Sequence, residues 1–135
     1  WSDGLPVVPP TRERVERMLA GTCRKADEVI ARVAPGYGAA TLELIAINAV
    51  MAGCRVDYMP VLIAAVEALS AKEFNLQGIQ ATTGPAAVWL VVNGPVARAL
   101  GMNSAGNCLG PGNRANESSP ASPRCRSRPR PSGRR

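Results

Sequence analysis

The sequence predicts an α/β fold that is rich in helices in its first half and has a small buried sheet in its second half. Apolar residues recur at helical spacing behind capping residues up to about residue 72, and an apolar run of strand length follows at residues 87–92. After residue 116 the composition changes to Arg, Pro and Ser. We therefore expect an incomplete α/β domain over residues 1–116 and a disordered tail over residues 117–135.

Helix boundaries in the first half follow from capping residues. Thr11 is a good N-cap for the first helix, and Gly21 can end it in the left-handed conformation. Thr41 can cap a third helix that ends at Gly53, and Pro60 suits the first position of a fourth. The predicted helices cover residues 12–20, 24–33, 42–52 and 60–72.

The pattern changes from residue 74 onward. Residues 79–83 contain Ile and two Thr, and residues 87–92 read AVWLVV, which is typical of a strand covered on both faces. A short helix over residues 95–100, closed by Gly101, and a loop rich in Gly and Asn over residues 103–116 are expected to follow.

The positive charge of the chain lies in its C-terminal segment. The formal net charge is +6, with 16 Lys and Arg against 10 Asp and Glu, but seven of the basic residues and one acid lie in residues 114–135. Residues 1–113 therefore carry nine bases and nine acids and are neutral. A basic tail can bind nucleic acid nonspecifically, but this one has no aromatic residues for base stacking, so nucleic acid is not the expected partner.

The four cysteines are best interpreted as reduced thiols of a cytoplasmic protein. They stand at Cys23, Cys54, Cys108 and Cys125, with no C-x-x-C pair and no His in the chain. A structural zinc site needs paired Cys or His at short spacing, so none is expected. Without His there is no Ser/His/Asp or Cys/His nucleophile, and no motif indicates a cofactor. No apolar run approaches the length of a membrane span.

Cys54 is the candidate catalytic residue. It follows the predicted end of a buried helix, and the neighbouring Arg55 favours a thiolate. The alternative is a small core residue beside a helix-ending glycine, and the negative end of the helix dipole works against a thiolate.

Three further segments are candidates for holding an anion or ligand. The turn at residues 93–95 precedes a helix, glycines in residues 110–116 let backbone approach a ligand, and residues 8–12 start a helix. The alternatives are an ordinary turn, a flexible loop and a simple cap. The candidate residues are Thr11, Arg12, Asn93, Gly94, Gly110, Gly112, Asn113, Arg114 and Asn116.

Several separated segments resemble, in order, the region that accompanies the UGSC family of (seleno)proteins. They are DGLPVVPPT at residues 3–11, AINAVMAGC at residues 46–54, NGP at residues 93–95 and GPGNRAN at residues 110–116. The resemblance implies a longer parent with a preceding domain that carries a Sec/Cys-Gly-Ser-Cys motif, which is absent here. Family members continue past the Arg-Ala-Asn element into another apolar helix. The switch to Arg, Pro and Ser is what a reading-frame shift in GC-rich DNA would produce.

Two functions are therefore expected. In the first, the chain is a fragment of a cytoplasmic UGSC-like protein, a thiol- or redox-linked enzyme that acts on a small anionic substrate through Cys54. In the second, it is a noncatalytic domain that binds the Sec/Cys-containing upstream domain of its parent.

Overall fold

The computed structural model describes residues 6–118, which form a mixed α/β fold of helices around one two-stranded sheet. The predicted fold class is confirmed, although the sheet lies in the first half of the chain. In chain order the elements are α1 (Arg12–Leu19), β1 (Val29–Val33), β2 (Gly38–Thr41), α2 (Leu42–Met51), α3 (Met59–Leu69), α4 (Leu76–Ala81), α5 (Pro95–Ala99) and α6 (Arg114–Ser118), with 3₁₀ turns at Val56–Tyr58 and Lys72–Phe74. None of the helices in residues 6–118 combines the length and the apolar composition that a membrane span requires.

The first helix is confirmed, but Gly21 acts differently from the prediction. α1 begins after Thr11 and buries Val15 and Met18 against the core. Ala20 is its C-cap, with right-handed backbone angles, and Gly21 is not among the residues with positive φ. A Cβ on Gly21 would lie 2.4 Å from the carbonyl oxygen of Val56. Gly21 is thus required by the close approach of two backbones.

The predicted helix over residues 24–33 is wrong. β1 pairs with β2 in an antiparallel hairpin, with Val33 opposite Gly38, Ala31 opposite Ala40, and an irregularity between Val29 and Ala31. The β-branched residues of β1 fit a strand as well as a helix face, and the pairing segment beyond the turn supplies the ladder hydrogen bonds.

An ion-paired arginine connects the entry of this hairpin to α3. Arg24 contacts Glu28 and Glu67, each at 2.8 Å. The hydrogen bond from Arg24 is the main cause that lowers the pKa of Glu28 below its usual value. The pair therefore stabilises the fold at neutral pH, and this contribution is lost as the pH falls through the pKa of Glu28 in the folded state.

The core lies between α1, α2 and α3. Thr41 caps α2 by accepting a hydrogen bond from the amide of Leu44 at 3.3 Å, and Pro60 lies in the first turn of α3. Leu42 and Met59 are completely buried. The remaining core side chains come from the same helices, from Cys54 and from the turn before α3, with Leu100 and Ala115 added from the second half of the chain.

The second half of the chain does not form the predicted sheet within the described residues. Residues 76–81 form α4, because Asn75 adopts a left-handed conformation and accepts a hydrogen bond from the Gly78 amide at 3.3 Å. Residues 87–92 belong to no helix or strand. Val88, Leu90 and Val92 are half-buried, whereas Trp89 and Val91 are each 70% exposed, so the segment covers one surface instead of being buried on both faces.

The last elements occur in the predicted order, but a helix extends past residue 116, where the tail was predicted to begin. α5 and the positive φ of Gly101 confirm the short helix and its closure. α6 extends to Ser118, so Glu117 and Ser118 belong to a helix and not to the predicted tail. Residues 119–135, on which the rest of the tail prediction falls, lie outside the described residues, as do residues 1–5.

Candidate functional site

A cleft of about 740 Å³ opens where the N-terminal segment, α1, the connection from α2 to α3 and α6 meet. The Val8 amide donates to the Met51 carbonyl at 3.1 Å, which holds the N-terminal segment against the end of α2. The cleft is lined by Val8, Arg14, Arg17, Met18, Gly21, Val50, Gly53, Cys54, Arg55, Val56, Asp57 and Arg114.

The C-terminal end of α2 positions Cys54 in the wall of this cleft. Gly53 has a φ of 74°, and its amide donates to the Val50 carbonyl at 2.9 Å. The Cys54 amide donates to the Ala49 carbonyl at 2.9 Å. These two bonds form a Schellman motif, which requires a residue in the left-handed conformation and therefore favours glycine at position 53. Cys54 lines the cleft, is 7% exposed and also belongs to the hydrophobic core.

Arg114 reaches the same place from α6. Its Nε and Nη2 donate to the Gly53 carbonyl oxygen at 2.9 and 2.7 Å. A cation at the C-terminal end of a helix offsets the negative end of the dipole. Arg114 therefore offsets the negative helix end that would otherwise disfavour a thiolate at Cys54. It also connects two segments that lie 61 residues apart.

α1 contributes two more arginines from one of its faces. Arg14 donates from Nη1 to the Pro9 carbonyl at 3.0 Å, which fixes the side chain against the N-terminal segment. Arg17 pairs with Glu13 at 3.1 Å across one helical turn. Both line the cleft, at the edge of the helix face on which Val15 and Met18 are buried.

The connection from α2 to α3 also carries Arg55. Its guanidinium donates from Nε to Asp57 at 3.1 Å and makes a second, shorter contact with the same carboxylate. The guanidinium carbon also lies 5.6 Å from the centre of the Tyr58 ring, which is within cation–π range. Arg55 is thus fixed on the rim beside Cys54 by one acid and one aromatic ring.

The lining is strongly basic although residues 1–113 are neutral as a whole. Its charged side chains are four arginines and one aspartate. A cleft lined by one sign of charge raises the local concentration of ligands of the opposite sign. The arrangement is therefore suited to binding an anion next to a thiol.

Some predicted ligand residues lie elsewhere. Thr11 and Arg12 do not line the cleft, and Arg12 pairs instead with Glu16 at 2.8 Å with its side chain 93% exposed. Asn93 lies in a separate groove, and Gly94 has a φ of 77° at the start of α5. The structure brings Cys54 and Arg114 together, and leaves these four residues outside.

The predicted ligand loop is organised by its own asparagines. The Asn113 side chain accepts from the Asn116 amide at 3.0 Å and donates to the Gly101 carbonyl at 3.1 Å. The Asn116 side chain donates to the carbonyls of Asn103 and Cys108, both at 2.8 Å. These hydrogen bonds hold the loop together and place Arg114 at the start of α6.

The two glycines of this loop also have local roles. A Cβ on Gly110 would lie 1.7 Å from Oδ1 of Asn107, and Gly112 has a φ of 114° while its amide donates to the Glu117 carboxylate. Neither glycine lines the cleft.

Sequence reasoning missed Arg14, Arg17 and Asp57 as parts of the site. Arg14 and Arg17 are three positions apart on a helix, so the sequence places them on one face. Nothing in the sequence says that this face meets the segment after α2, because that contact is set by the packing of α1 on α2.

A second, apolar groove of about 350 Å³ lies between α3 and the segment before α5. Its lining includes Pro60, Ala64 and Ala68 from the helix, and residues 90–93 from the other side. Trp89 and Val91, both 70% exposed, stand on the segment that forms this groove.

No protein-family model, curated protein or solved structure matches this chain.

Proposed function

We propose that the basic cleft binds a small anionic substrate beside Cys54, and that Cys54 is the nucleophilic thiol of a cytoplasmic UGSC-like protein. The observation that carries this proposal is that four arginines line the same cleft as Cys54. Cationic side chains favour the thiolate, which is the nucleophilic form of cysteine. They also attract the anionic group of a substrate and hold it by charge-assisted hydrogen bonds.

Two alkylating reagents of similar size, one anionic and one neutral, test this proposal. Iodoacetate is an anion and iodoacetamide is neutral, and in both the thiolate sulfur forms a bond to carbon while iodide leaves and the thiol proton goes to solvent. We expect the ratio of the iodoacetate rate to the iodoacetamide rate to be about tenfold higher at Cys54 than at Cys108, because the cleft concentrates anions. Peptide mass spectrometry after timed quenching measures both rates in one sample.

Matched variants separate the charge of the cleft from other effects. Arg14→Gln should lower the ratio at Cys54, and Arg98→Gln, an exposed arginine outside the cleft, should leave it unchanged. Added salt should also lower this ratio at Cys54, because it shortens the Debye length and screens the attraction between the arginines and iodoacetate. If the ratio at Cys54 equals that at Cys108, or if Cys54 reacts no faster than in chain unfolded by urea, the proposal fails.

The alternative function, a noncatalytic domain that binds an upstream domain, is favoured by the apolar groove and the exposed Trp89. A tryptophan that is 70% exposed beside an apolar groove is typical of a contact residue in protein interfaces. On this hypothesis the wild-type chain comigrates on a sizing column with a separately expressed upstream domain of a UGSC-like protein, and Trp89→Ser prevents it. Comigration that survives Trp89→Ser would exclude this surface.

A further inference from the structure

We infer that the ligand of the basic cleft is a dianion. This inference rests on the proposed function, and it adds the charge class of the substrate. The argument depends on how each arginine of the lining is held, because a guanidinium paired with a carboxylate contributes little net charge to a ligand.

Two of the four arginines are neutralised locally. Arg17 pairs with Glu13 at 3.1 Å, and Arg55 pairs with Asp57 through two contacts. Each of these pairs has a net charge of zero. A ligand anion that approaches them meets both an attractive cation and a repulsive carboxylate.

The other two are held by neutral oxygens. Arg14 donates to the Pro9 carbonyl at 3.0 Å, and Arg114 donates to the Gly53 carbonyl at 2.9 and 2.7 Å. Within residues 6–118, neither forms an ion pair with a carboxylate. A carbonyl carries no formal charge, so both guanidinium groups keep their full positive charge.

These bonds also prepare the two side chains for binding. A guanidinium has five N–H donors, of which Arg14 uses one and Arg114 two for the carbonyl oxygens. The tethers reduce the side-chain entropy that would be lost on binding, and they leave donors for the ligand. The two residues come from α1 and α6, so they reach the cleft from different elements and can contact different oxygens of one ligand.

The four arginines and Asp57 of the lining, together with the Glu13 carboxylate that pairs with Arg17, have a net charge of +2, which a ligand of charge −2 matches best. Two chemical sources supply such a ligand: a small dicarboxylate and a phosphate monoester. Both accept bidentate hydrogen bonds from arginine. The cleft of about 740 Å³ has room for either.

Binding of charge-graded probes tests the inference. Succinate, monomethyl succinate and dimethyl succinate share one skeleton and differ in charge, and methyl phosphate and dimethyl phosphate provide the same comparison for the phosphate source. Titrations of the full chain are followed by the NMR shifts of the Gly53 and Arg55 amides. We expect succinate or methyl phosphate to bind about tenfold or more tightly than its monoanionic partner, since hydrogen bonds to a charged group are stronger than those to a neutral one.

Variants assign the preference to the two arginines. Arg14→Gln is exposed and should fold normally, and it should reduce the affinity for the dianion about tenfold while changing that for the monoanion much less. Arg114→Gln should do the same, and its circular dichroism is recorded to check that α6 stays folded. Arg98→Gln is the control and should leave all affinities unchanged.

The outcomes separate this inference from the proposed function. If monoanions and dianions bind equally well, the inference is overturned and anion binding stands. If no probe of either series shifts the cleft amides, and the iodoacetate preference at Cys54 is absent as well, the proposed function fails with it. A preference for the dianion over the monoanion that persists in both Arg14→Gln and Arg114→Gln would also overturn the inference.

Discussion

Leu42→Ala is expected to lower the free energy of unfolding by about 3 kcal/mol, because the side chain is fully buried and its removal leaves a cavity. Leu42 is 0% exposed at the start of α2, where it contacts the core beneath the hairpin. Its amide also donates to the Glu28 carbonyl at 2.9 Å, which the substitution keeps. Urea unfolding followed by circular dichroism measures the change, which should come from the midpoint and not from the slope.

Leu44→Ala is the matched control in the same helix. Leu44 is 42% exposed, so the same truncation removes much less buried surface, and its amide still donates to Thr41. We expect a change within about 1 kcal/mol. Equal destabilisation by the two variants would mean that α2 does not bury Leu42 in the core while leaving Leu44 exposed.

Gly21→Ala is expected to destabilise the fold by about 2–3 kcal/mol through overpacking. The added methyl carbon would lie 2.4 Å from the carbonyl oxygen and 2.9 Å from Cγ1 of Val56, and 3.2 Å from the Met18 carbonyl oxygen. Two of these three atoms belong to the backbone, so they cannot move away by changing a rotamer. Relief requires α1 and the 3₁₀ turn at Val56–Tyr58 to separate, which also widens the floor of the cleft.

Gly38→Ala serves as the comparison for this substitution. Gly38 begins β2, and an added Cβ there meets nothing within 4 Å. The thermal unfolding midpoint of the Gly38→Ala variant should stay close to that of the wild-type chain or rise slightly. If Gly21→Ala melts at the same temperature as Gly38→Ala, the close contact between α1 and the turn before α3 does not exist.

Local signals were enough to predict three of the long elements. Thr41 and Gly53 bracket α2, and Pro60 marks the first turn of α3, because capping groups act within a few residues of the helix that they end. α1 follows in the same way from Thr11 and from the spacing of its apolar residues. These features need no contact from elsewhere in the chain.

The hairpin and the segment at residues 87–92 could not be predicted in the same way. Residues 29–33 are strand because residues 38–41 pair with them. Residues 87–92 have the composition of a buried strand, but within residues 6–118 no segment pairs with them, and α3 covers only one of their surfaces. Strand formation depends on a partner, and an apolar run alone does not identify one.

The sequence by itself determined the helical capping, the place of Cys54 after the glycine that ends α2, and the neutrality of residues 1–113. The tertiary structure alone decided that Arg14, Arg17, Arg55 and Arg114 line one cleft. It also decided that acids neutralise Arg17 and Arg55, whereas carbonyl oxygens hold Arg14 and Arg114. Caps and turns depend on neighbours in sequence, but the electrostatic field of a cleft depends on groups that only packing brings together.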